Sequence, residues 1–259
     1  MKRLFILIAG SALVLPSMFA QQNGTNNSNG SNFGLAIPYV FVGKAGDCGT
    51  GTPAGSRIVT SAWLAGMGLP DDGTSVDGTA SSRTDPHFGL LLSKNGPTAD
   101  CSSAGAVILT FGQFTVPTTT TAFQLGFDFR NGTHCGAGAP RFNIVTSDGA
   151  THFAGCADGT ITPAPQDPAQ WSRVRFTPAQ LFPPVLPGAQ IKTVSIVYDE
   201  GTDTPSTQDP MGVGLSVLDN IDVNGHIITG GFGPGAGAGQ DNNSNTKNGD
   251  DKQNDKNGK

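Results

Sequence analysis

The sequence predicts an all-β protein, a two-sheet antiparallel β-sandwich of jelly-roll type with a disordered tail at each end. Three observations predict it. Short segments alternate apolar and polar residues with a period of two, the signature of half-buried strands. The 37 Gly and 18 Pro residues punctuate these segments, while Glu occurs only at Glu200, so helix formers are sparse. Strands polar on one face must bury the other against a second sheet, and no fixed repeat points to a propeller instead.

The N-terminus comes first. Lys2 and Arg3 precede an apolar run, Leu4 to Leu15, which Pro16 and Ser17 break before the small residue Ala20. That layout predicts a secretory signal peptide over residues 1–20, and the run is too short to span a bilayer comfortably. Residues 21–32 are Asn, Gly, Ser and Thr with nothing to bury, a flexible leader. Residues 33–229 form the sandwich domain. Residues 230–259 return to Gly, Asn, Asp and Lys, a composition whose burial cannot offset its ordering entropy. The expected product is secreted or periplasmic, with no membrane insertion of the mature chain.

Nine or ten strands are expected. Ala36 to Val42, Arg57 to Ala65, His87 to Leu92 and Ala106 to Phe114 supply the early ones. In Ala122 to Arg130, Phe123, Leu125, Phe127 and Phe129 share one face. Phe142 and Ile144 alternate with Arg141 and Asn143, and Thr151 to Cys156 follows a Ser147-Asp148-Gly149 turn. Val174 and Phe176 alternate with Arg173 and Arg175. Val194, Ile196 and Tyr198 alternate with Thr193, Ser195 and Val197. In the last long strand Val217, Asp219, Ile221 and Val223 share one parity, and Asn224-Gly225 makes a two-residue hairpin turn.

Cys48, Cys101, Cys135 and Cys156 are even in number, which in an exported chain predicts disulfides. Three pairings are possible. If the strands at 122–130, 141–147 and 151–156 form one meander, the ends of the first and third meet at one sheet edge. That pairs Cys135 with Cys156, and Cys48 with Cys101. A zinc site from His134, Cys135, His152 and Cys156 has suitable ligand types but matches no compact zinc spacing.

Leu218-Asp219-Asn220-Ile221-Asp222-Val223 and Phe127-Asp128-Phe129 resemble the closing and central strands of extracellular jelly-roll domains, carbohydrate-binding modules among them. The resemblance implies the architecture and, by analogy, a glycan as ligand class. It also suggests a structural calcium near the closing strand. Asp219, with Asp199, Glu200 and Asp203 in an acidic loop, supplies the oxygen ligands that calcium prefers.

The outward positions of the central strands gather Asp128, Arg130, Arg141, Asn143, Arg173 and Arg175, donors and acceptors suited to sugar hydroxyls, provided those strands are neighbours. Trp63 and Trp171 read as core residues. The segment 33–232 holds sixteen acids and nine bases, which disfavours a nucleic-acid partner. Serine-hydrolase, zincin and phosphate-loop motifs are missing. The expected function is therefore a non-catalytic binding or adhesion domain on a cell-surface or extracellular glycan. A hydrolase using Asp or Glu residues and a structural envelope or matrix protein are the alternatives.

Overall fold

A computed structural model describes residues 35–69, 88–109, 114–117 and 123–231. The signal peptide, the leader and nearly all of the tail expected from the sequence lie outside these residues, as do His87 and Ala122 at the starts of two expected strands.

Thirteen strands are described: β1 (Leu35–Val42), β2 (Val59–Leu64), β3 (Gly89–Lys94), β4 (Ser102–Leu109), β5 (Phe114–Thr115), β6 (Leu125–Arg130), β7 (Arg141–Thr146), β8 (Thr151–Gly155), β9 (Thr160–Pro163), β10 (Trp171–Arg175), β11 (Gln190–Tyr198), β12 (Leu215–Val223) and β13 (His226–Ile228). They form two sheets. The first runs β1-β4-β11-β7-β8, with β5 on β11. The second runs β2-β3-β12-β6-β10-β9, with β13 on β12. Every strand pairing is antiparallel. The inner orders β4-β11-β7-β8 and β3-β12-β6-β10 are those of a jelly roll, with the chain crossing between sheets from β1 to β2, β3 to β4, β5 to β6, β6 to β7, β8 to β9, β10 to β11 and β11 to β12.

The alternation read from the sequence explains the core. Phe123, Leu125, Phe127 and Phe129 of the β6 region face Phe142 and Ile144 of β7, Val194, Ile196 and Tyr198 of β11, and Val174 and Phe176. The rings of Phe127, Phe142 and Phe176 meet at centroid distances of 5.5, 6.3 and 5.9 Å, in tilted and edge-on geometries that aromatic rings favour. Truncating one such ring to Ala costs about 3–5 kcal/mol. Trp63 is fully buried in this core, and its indole N–H donates to the Ala36 carbonyl at 2.9 Å. Trp171 lies on the other side of the second sheet, in a smaller cluster with Leu69, Ala164 and Val217.

The structure differs from the sequence reading in three places. The meander is not one sheet: β6 belongs to the second sheet, whereas β7 and β8 form a hairpin in the first. The disulfides are nonetheless Cys135–Cys156 and Cys48–Cys101, and no described cysteine is free. Cys135 sits on the β6–β7 crossover, which the disulfide ties to the residue after β8. Second, β12 carries a bulge. Its register against β6 shifts between Asp219 and Asp222, and Asn220 has φ 45°. Val217 and Asp219 therefore lie outside the core while Ile221 and Val223 enter it, although one parity covers all four. Third, β9 was missed because its burial does not alternate: only Ile161 packs on the core, as befits a short edge strand. The Asn224-Gly225 hairpin stands as expected, with φ of 55° and 83°.

Candidate functional site

The six outward residues do not share one face. Asp128, Arg130, Arg173 and Arg175 lie on the second sheet, where β6 pairs with β10. Arg141 and Asn143 lie on β7 in the first. The outer faces of the two sheets differ in how their polar groups are used.

On the second sheet those groups are turned inward to each other. Asp128 is fully buried. Arg173 grips it with two bonds, Nε to Oδ1 at 2.9 Å and Nη2 to Oδ2 at 3.0 Å. The β12 bulge brings the Asn220 side-chain amide to Asp128 Oδ2 at 3.2 Å, and Arg175 Nη1 lies 3.6 Å from Oδ1. Arg173 also donates to Gln166, and Arg130 donates to Gln170. A buried carboxylate needs such partners, and the register Arg173↔Asp128↔Asp219 provides them. Burial pushes the Asp222 carboxyl pKa up, with Arg175 opposing.

The first sheet presents a different face. Successive register pairs place Phe182, Phe153, Asn143, Ser195, Val107 and Ile37 in one row across the strands. Phe153 and Phe182 exchange both backbone hydrogen bonds, at 2.8 and 2.7 Å, so their side chains stand on the same side. They are 36% and 74% exposed. The strap that carries Phe182 is rigidly moored. Val185 is buried, its N–H donates to Pro178, and His152 Nδ1 donates to the Pro183 carbonyl at 2.7 Å.

Beside that row lies Arg141, with its guanidinium 6.0 Å from the Phe153 ring centroid. It donates through Nε to Asn143 Oδ1, through Nη1 to Gly138 O and Asp199 Oδ1, and through Nη2 to Asp199 Oδ2. Burial acts to lower its pKa, but Asp199, with Tyr39 and Glu200, outweighs burial and holds it above the ordinary value. Tyr39 lies across β4 at Gly105. A Cβ there would sit 2.5 Å from the Tyr39 ring and from the Ile196 carbonyl, so no other residue fits. Burial raises the Tyr39 pKa and Asp199 adds to this, with Arg141 opposing, so Tyr39 is a neutral hydroxyl at physiological pH.

The four carboxylates proposed for calcium are not brought together. Asp199 pairs with Arg141. Glu200 Oε2 lies 2.6 Å from Nε2 of the fully buried His134. Asp203 accepts from the N–H and hydroxyl of Thr98, which hold its pKa low. Asp219 accepts from the Leu69 and Asn220 amides at 2.7 Å each, outside the second sheet. Among the described residues no group of three or more His, Cys, Asp or Glu is arranged to hold a metal ion. His134 and His152, the zinc alternatives, likewise have separate partners.

No family model, curated protein or solved structure matches this chain.

The sequence reading names Arg141 and Asn143 as candidates but not the aromatic residues beside them on this face. Phe153 carried a signal: it alternates with His152 and Ala154, which are buried. Phe182 carried none, because a Phe followed by two prolines gives no strand pattern. Tyr39 is placed by a glycine on the neighbouring strand, a long-range relationship.

Proposed function

We propose that this protein is an exported, non-catalytic binding or adhesion domain whose contact surface is the outer face of the first sheet, and that its ligand is a glycan. The observation that carries this reading is the exposed pair Phe153 and Phe182 in one row with Asn143, beside Arg141. Sugar rings offer an apolar face and a hydroxyl rim. Aromatic rings match the first, while amide and guanidinium groups match the second. Mooring of the strap and of Arg141 means that little ordering remains to oppose binding. The two disulfides suit an oxidising compartment, and no described helix is long and apolar enough to cross a membrane.

The test is a glycan-array screen of the protein with and without calcium. Reproducible binding to one glycan class in both conditions is expected, because no calcium ligand set converges among the described residues. An array without binding in either condition removes the glycan reading.

A further inference from the structure

We propose that the ligand of this face is an uncharged glycan, and that Asp199 is the residue that excludes acidic ones. The inference rests on the binding-face reading above and adds the charge class of the ligand.

A guanidinium has five N–H donors and binds a carboxylate best through two in parallel. In Arg141 the Nε donor goes to Asn143, both Nη1 donors go to Gly138 and Asp199, and one Nη2 donor goes to Asp199. One donor remains. It can meet a sugar hydroxyl, but it cannot form a second two-bonded pair with a uronate or sialate carboxylate.

Charge gives the same answer independently. Asp199 neutralises Arg141 and is the more exposed partner, at 37% of its side chain against 20% for Arg141. An approaching carboxylate meets the Asp199 carboxylate before it meets the guanidinium, and like charges at contact repel. The Phe153 row itself carries no charge, its other members being Phe182, Asn143, Ser195, Val107 and Ile37; Arg141 stands beside it, and the exposed Lys192 lies further along β11 at the bulge before Thr193. Tyr39 is a neutral phenol.

Affinity electrophoresis tests this with the full chain in gels containing neutral polysaccharides (xylan, mannan, mixed-linkage glucan, starch) or polyuronates (alginate, polygalacturonate). The wild type is expected to be retarded by at least one neutral polymer and by no polyuronate. Asp199→Ala, with Asp199→Asn as a milder second variant, should gain retardation by polyuronate at low salt, since it frees Arg141 donors and unmasks a positive charge. Thermal melts of both variants establish that they are folded. Retardation of the wild type by a polyuronate, abolished by Phe153→Ala, overturns the inference while leaving the binding face intact. Folded Asp199 variants that gain nothing on polyuronate also overturn it. A wild type retarded by no polymer of either kind overturns both this inference and the reading beneath it.

Discussion

The buried ammonium of Lys94 donates to the main-chain carbonyl of Asp199 at 2.9 Å. It donates also to the carbonyls of Thr98 and Asp100, at 3.0 and 3.1 Å, and lies 3.0 Å from Asp100 Oδ1. Carbonyl oxygens and a carboxylate converging on one point form a cage for a cation, and here a lysine is the cation. The acidic loop that starts at Asp199 is therefore fastened by a covalent part of the chain. Chelation is expected to leave the melting temperature unchanged. A drop of several degrees on adding EDTA, reversed by calcium, contradicts this.

Lys94→Met tests the same cage by mutation. It keeps most of the side-chain volume but leaves the Asp100 carboxylate and three carbonyls buried without their partner. Losing one partner of a buried pair costs about 3–5 kcal/mol. Urea unfolding should show a loss of that order, and a change below about 1 kcal/mol would place the pair among the weak surface bridges.

Acid should weaken the same region. Burial pushes the Asp100 pKa up, but the Ser102 hydroxyl, Lys94 and the Ser56 amide together hold it below the ordinary carboxylate value. A lowered folded pKa contributes stability that is present above the unfolded pKa of about 3.9 and is lost as the pH falls through the folded value. As the pH falls below the unfolded value the wild type should therefore lose more stability than Asp100→Asn. Parallel curves for the two proteins would refute this assignment.

Asp128 is the corresponding keystone of the second sheet. Asp128→Ala removes the buried carboxylate on which Arg173, Arg175 and the Asn220 amide converge and should cost about 3–5 kcal/mol. Because these residues lie on the opposite side of the sandwich from Phe153, a folded Asp128 variant should keep its glycan profile. Loss of binding in such a variant would move the contact surface to the second sheet.

Both disulfides should be complete, so the denatured, unreduced protein should contain no reactive thiol. Chain entropy alone gives roughly 4 kcal/mol for Cys48–Cys101, which closes a separation of 53 residues, and roughly 3 kcal/mol for Cys135–Cys156, which closes 21. Two or more thiols per chain in the labelling assay would contradict the pairing.

Where the fold was legible, period-two alternation made it so: Phe123 to Phe129, Phe142 and Ile144, and Val194 to Tyr198 all enter the core as their parity requires. Where it was not, the deciding contact is long-range. The β12 bulge inverts the faces of Asp219 and Ile221, and nothing local in the sequence places it. The split of the six polar candidates between two sheets follows from the β6–β7 crossover, which a meander and a jelly roll disguise equally well in sequence. Asp199, Glu200, Asp203 and Asp219 look alike as oxygen donors in the sequence, yet each has a different partner: Arg141, His134, Thr98 and the Leu69 and Asn220 amides, and only Asp219 is buried enough to require one.

Phe153 and Phe182 are the exposed residues on which the proposed contact surface rests. The most direct measurement compares wild type with Phe153→Ala/Phe182→Ala for binding to whichever glycan the array identifies, with melting curves recorded on both. Both side chains are exposed, so the double variant should melt within a few degrees of wild type. Its affinity should fall by roughly tenfold or more. A folded double variant that binds with unchanged affinity would contradict the account.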